Sequence, residues 1–134
     1  MNGSRWPVAS RDDDFAPYLD GRPEAGVALF WRFIALARAS GPAIYELQNG
    51  PVVLRGTRRI FASVRVCDNG IVGHLVLTRL ITDRRIRKAE NLTKTLTYHG
   101  YLATAPPDLD DEFASWLYEA RAVGDGAHLG SGTP

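Results

Sequence analysis

Cysteine is almost missing from this chain of 134 residues: Cys67 stands alone, so no internal disulfide can form and a reducing compartment is expected. No apolar run approaches the roughly 20 residues that a membrane-crossing helix needs. Residues 1–10 lack the apolar centre of a secretory signal, so the expected location is the cytoplasm, with no membrane partner. Histidine is scarce too. His74, His99 and His128 fall in no H-x-x-H or H-E-x-x-H spacing. There is no Gly-x-Ser-x-Gly elbow, phosphate-binding glycine loop or dinucleotide fingerprint, and no helix-turn-helix, zinc-finger or RNA-binding signature. No nucleophile, acid–base pair or cofactor motif assembles at a readable spacing, so a non-enzymatic binding module without a cofactor is expected.

What is present reads as one soluble domain, with 45% apolar and 23% charged residues. Residues 1–14 and 125–134 lack periodicity and are expected to be disordered tails around a single domain over 15–124. Charge is unevenly distributed. Residues 51–100 hold ten Lys or Arg against three acids, whereas residues 101–134 hold one Arg against six acids. Either the two segments neutralise each other across the fold, or a basic surface faces away from an acidic one.

Periodicity predicts an α+β fold: an N-terminal helix, a five-stranded antiparallel meander and a C-terminal helix, with both helices on one face of the sheet. The first helix is expected over residues 23–40, with Val27, Phe30, Trp31 and Ile34 at helical spacing and Leu29, Phe33 and Leu36 widening the stripe. That stripe exceeds what one sheet face needs, which makes a homodimer through Trp31 or Phe33 an open expectation. Asn49-Gly50 and Asn69-Gly70 predict two hairpins, over 44–55 and 60–80. In the second, a turn at Asn69-Gly70 sets Val64 opposite Leu75, Ala62 opposite Leu77, Arg65 opposite His74, Ser63 opposite Val76 and Phe61 opposite Thr78. Ile60, Ala62, Val64, Val66, Leu75 and Leu77 then form the core face, and Phe61, Ser63, Arg65, His74, Val76 and Thr78 a mixed outer face. Residues 82–93 are irregular, with room for a short helical turn. Residues 96–104 read as the fifth strand, with Leu96, Tyr98 and Leu102 alternating against Thr97, His99 and Tyr101. Asp108 is expected to cap a last helix to about Val123, whose stripe is Leu109, Phe113, Trp116, Leu117 and Ala120.

Two segments, Gly56-Thr57-Arg58-Arg59-Ile60-Phe61-Ala62-Ser63-Val64 and Pro107-Asp108-Leu109-Asp110-Asp111-Glu112 with Trp116-Leu117 and Glu119-Ala120 after it, resemble a motif of small bacterial proteins known only as a domain of unknown function. The resemblance covers residues 24–124. The layout is more distantly similar to the YjbR-like and YdhG-like groups of small α+β proteins. For the first group the resemblance implies DNA binding, and for the second a frataxin-like iron-chaperone role; no motif here carries either role across.

The candidate anion-binding residues are Arg55, Arg58, Arg59, Arg65, Arg84, Arg85, Arg87 and Lys88, because guanidinium forks match phosphate oxygens. Phe61, His99 and Tyr101 are the candidate stacking residues for bases on an open sheet. The plain alternative is a solvated strand edge whose charges prevent further strand pairing. His74 and His99 as neighbours on the outer face, helped by Asp68 or Asp83, would be needed for a metal. Asp108, Asp110, Asp111 and Glu112 suit a helix N-terminus better than a chelate, and Cys67 reads as an ordinary strand-end residue. The leading expectation is binding of an anionic partner such as nucleic acid. The alternatives are a small-ligand or metal-handling protein and a homodimeric interaction subunit.

Overall fold

The computed structural model describes residues 6–130; residues 1–5 and 131–134, the outer parts of the two expected tails, lie outside the described residues. A 3₁₀ turn, Asp12–Phe15, leads into a short helix α1 (Ala16–Leu19) and then the long helix α2 (Glu24–Ser40). Pro23 precedes the first helical residue and Gly41 ends the helix at a φ of 133°. Strands β1 (Ile44–Leu47), β2 (Val52–Arg55), β3 (Ile60–Cys67), β4 (Gly70–Leu77), β5 (Ile86–Asn91) and β6 (Thr97–Ala103) follow, then α3 (Asp111–Gly124) and a last turn α4 (Ala127–Gly130). No helix among the described residues is long and apolar enough to cross a membrane.

The sheet has six strands in the order β1-β2-β3-β4-β6-β5, with every neighbouring pair antiparallel. The expected five-stranded meander therefore holds only from β1 to β4. Residues 86–91, expected as an irregular segment, form the edge strand. Four of the six side chains are polar and all but Ile86 are exposed, so no alternation of apolar residues marks them. Arg87, Lys88 and Glu90 on this edge discourage pairing with a further strand. At the opposite edge Val8 bridges to Glu46, and Ala9 N–H donates to the Tyr45 carbonyl at 2.9 Å. Part of the segment read as an N-terminal tail thus covers β1.

The register of the β3–β4 hairpin differs by two residues from the expected one: Ala62 pairs with Leu75, Arg65 with Val72 and Cys67 with Gly70. The turn is Asp68-Asn69, and Gly70 begins β4. Glycine is required there by packing: its φ is 154°, and a Cβ would stand 2.1 Å from the Ala103 carbonyl of β6. A shift of two preserves which face each side chain takes, so the core face of this hairpin is as read. Phe61 is the exception. A bulge sets Leu54 opposite Ala62 and Arg55 opposite Ile60, leaving Phe61 as the extra residue in β3. Phe61 turns to the helix side, is 1% exposed, and packs where a side chain at Gly124 would collide with it.

Helices α2 and α3 both pack on β3 and β4 and on each other, so both cover one face. The wide apolar stripe of α2 is used within the protomer. Phe33 is fully buried and stacks on Tyr101 at 5.9 Å, while Phe15, from before α1, meets Phe30, Trp31 and Tyr45 edge-on. Phe33 is thus unavailable to a dimer partner, and Trp31 is half-buried.

Residues 78–85, between β4 and β5, cross under β6 on the helix side, where the Ile81 N–H donates to His99 Nε2 at 2.9 Å. This crossover is fastened by Arg85. Its guanidinium is 4% exposed and donates to Asp83, to the Asp108 carbonyl, to Asp110 and to Glu112, while lying 4.5 Å above the Trp116 ring. Asp110, not Asp108, caps α3 by accepting from the Phe113 N–H at 2.9 Å. Asp108 instead accepts from the Thr104 and Ala105 N–H groups and from Arg84. Removing the guanidinium would take the shared donor from the Asp108 carbonyl and from the Asp83, Asp110 and Glu112 carboxylates, and would unpack the Trp116 ring. Arg85→Ala is therefore expected to lower the urea midpoint sharply, and Arg85→Lys to recover little, because an ammonium lacks the fork. Asp83 is held down to about 2, first by its bond from Arg85, against an ordinary 3.8. Its contribution is complete above the ordinary value and is lost as pH falls through about 2, so an acid titration of stability checks the same contact.

Candidate anion-binding face

The structure pairs some cations of the basic middle segment with acids and leaves others without a close acid partner. Arg79 makes a two-pronged pair with Glu119 at 3.0 and 2.8 Å, Arg84 pairs with Asp108 at 2.7 Å, and Arg85 is enclosed as described. The basic middle segment and the acidic C-terminal segment do neutralise each other, but only at the α3 side of the sheet. Arg55 pairs with Glu46, itself 1% exposed, at 2.7 Å. Arg85 and Arg55 are thereby committed to structure. Arg58 and Arg59 lie in the β2–β3 turn, where their N–H groups donate to the Gly124 carbonyl at 2.8 and 3.1 Å. Arg65, on β3, and Arg87, on β5, are exposed and carry no ion pair among the described residues, and Lys88 touches only Glu90, at 3.7 Å.

These last three cations rim the outer face of the sheet, opposite the helices. A trough of about 510 Å³ crosses it, lined by Ser63, Arg65, Arg87, Lys88, Tyr98 and Gly100 among others. The strand register fixes the arrangement. Arg65, Val72 and Leu102 form one row across β3, β4 and β6; His74, Gly100 and Lys88 form the next across β4, β6 and β5; Val76, Tyr98 and Glu90 form a third. With strands about 4.8 Å apart, the span from β3 to β5 is roughly 14 Å.

The residues expected to stack are elsewhere. Phe61, His99 and Tyr101 are 1%, 0% and 2% exposed, all on the helix side. In β6 the core face is His99, Tyr101 and Ala103, so the expected face assignment of this strand is reversed. Tyr101 suits the core because its hydroxyl donates to the Ser63 carbonyl at 2.8 Å and its ring packs against Phe33 and Phe113. Leu96, which anchored the opposite reading, is buried in a small separate cluster with Val76 and Val123. His74 and His99 point to opposite faces and cannot share a metal. Among the described residues no three His, Cys, Asp or Glu side chains gather in a way that could hold one.

The outer face carries aromatic character that the sequence reading assigned elsewhere. The Tyr98 ring stacks on the His74 ring with centroids 5.1 Å apart and 8° between planes. Ser63 Oγ bonds His74 Nδ1 at 2.6 Å and accepts from the His74 N–H at 3.1 Å. A turn placed at Asp68-Asn69 would have set Ser63 opposite His74 from sequence alone. Among the described residues no base or acid partners His74 further, and Ser63 is buried, so the pair holds a ring in place rather than presenting a nucleophile. The chain matches no protein-family model, no curated protein and no solved structure.

Burial, with the nearby charge of Arg59, pushes the His74 imidazole down from 6.5 to about 4, so the ring is neutral at pH 7. The unfolded chain takes up this proton first. Stability from the neutral ring is therefore present in full above pH 6.5 and is lost as pH falls from 6.5 to 4. The ring protons of His74 are expected to titrate near 4 by NMR, and the loss of stability over that interval to shrink in His74→Asn; a midpoint at the ordinary 6.5 would contradict the half-buried, stacked ring.

Proposed function

We propose that the outer face of the sheet binds a single-stranded nucleic acid, holding its phosphates with Arg65, Arg87 and Lys88. The observation that carries this reading is the trough whose rim cations lack strong acid partners, in a protein whose other strand and crossover cations are largely matched with acids. A guanidinium left in solvent beside a concave surface is ready to exchange counterions for phosphate oxygens. The shape favours a single strand over a duplex. An open sheet with a surface aromatic suits unstacked bases.

The test is fluorescence anisotropy with labelled single-stranded oligonucleotides. Three phosphate contacts give a slope of log affinity against log salt of about −2. The triple variant Arg65→Ala/Arg87→Ala/Lys88→Ala is expected to lose binding. Arg84→Ala is expected to leave it unchanged, since that guanidinium sits with Asp108 on the other side. Absence of binding even at low salt, or equal loss in Arg84→Ala, would overturn the reading.

A further inference from the structure

We propose that the depression over Gly100 is a slot for one nucleobase, with the Tyr98 ring as its wall. The inference rests on the reading of the outer face as a phosphate-binding surface and assigns what lies between the phosphates. Gly100 is bracketed across the sheet by His74 and Lys88 and along its own strand by Tyr98 and Leu102. Each of these bears a side chain on the outer face; Gly100 alone bears none. A Cβ built there would meet Lys88 Cβ and Tyr98 Cε1 at 3.6 Å and the Lys88 carbonyl oxygen at 3.9 Å, all ordinary contacts. A side chain could therefore be accommodated at this position, and its φ lies outside the region that favours glycine. Neither crowding nor backbone conformation calls for glycine at this point. That contrasts with Gly70, where packing does.

The vacancy lies in the trough between Arg65 on one rim and Arg87 and Lys88 on the other. Tyr98 leans toward it, and its other neighbour is the parallel His74 ring, held by the contact of its Nδ1 with Ser63 Oγ. A ring held flat in this way loses little freedom when a second planar group is laid beside it. Leu102 and Val72, both half-buried, supply apolar floor next to the slot. Cations at the rim, an aromatic wall and a missing side chain between them match a phosphate-linked planar base. They do not select among bases, because every base has a π-face.

The experiment compares oligothymidine with an abasic oligonucleotide of the same length and charge, by anisotropy at low salt. The wild-type protein is expected to bind the base-bearing strand about ten-fold more tightly. Tyr98→Ala and Gly100→Val, the latter filling the slot, are each expected to remove that difference while keeping the salt-dependent binding common to both strands. Circular dichroism verifies that Gly100→Val folds, and Tyr98→Ala tests the slot independently if it does not. Equal affinity of the wild type for the two strands would overturn the slot and leave the phosphate reading standing. No salt-dependent binding to either strand would overturn the phosphate reading and the slot with it.

Discussion

A single buried guanidinium organises this molecule. Arg85 joins the β4–β5 crossover to the first turn of α3, and it does so with both charges and carbonyl oxygens around it and Trp116 beneath it. An isolated cation at 4% exposure would be strongly disfavoured, so this one persists only because Asp83, Asp110 and Glu112 converge on it. Two consequences follow. The crossover is held against the helix side, where His99 also bonds it, which lets β6 lie between β4 and β5. The acids at the start of α3 are engaged on the helix side, away from the outer face.

That division of charge is what gives the sheet two different faces. On the helix side, cations and acids meet at 2.7–3.0 Å in pairs that include the bidentate Arg79–Glu119 contact. On the outer side, Arg65, Arg87 and Lys88 line a trough; among the described residues Arg65 and Arg87 carry no ion pair, and Lys88 meets Glu90 at 3.7 Å, beyond hydrogen-bond distance. The near-zero net charge of the chain conceals this, because the sum is formed mainly on one side of the sheet. Local fields, not the total, steer an anionic ligand.

Both long helices, the four-strand meander and the core face of the β3–β4 hairpin were legible in the sequence, since each rests on a repeat of period 3.6 or 2 that burial enforces. β5 was not, because an edge strand exposed on both sides has no apolar alternation to display. The face of β6 was misread for a related reason. Tyr101 and His99 are amphipathic, and only a tertiary partner, the Ser63 carbonyl for one and the Ile81 N–H for the other, makes them core residues. The hairpin register failed at Gly70, where glycine serves a close contact with β6 that no local pattern encodes. Of the candidate site, Arg65, Arg87 and Lys88 were among the cations picked from the sequence; separating them from Arg55, Arg84 and Arg85 required knowing where the acids fold.

The most direct test of the two-faced sheet is a map of backbone amide shifts, by ¹⁵N–¹H correlation spectroscopy, as a short oligothymidine is added at low salt. The account predicts that the affected amides cluster around Arg65, Arg87, Lys88, Tyr98 and Gly100, with those of α2 and α3 unmoved. Shifts concentrated on the helix side, or on the Arg58-Arg59 turn with the trough unaffected, would contradict it.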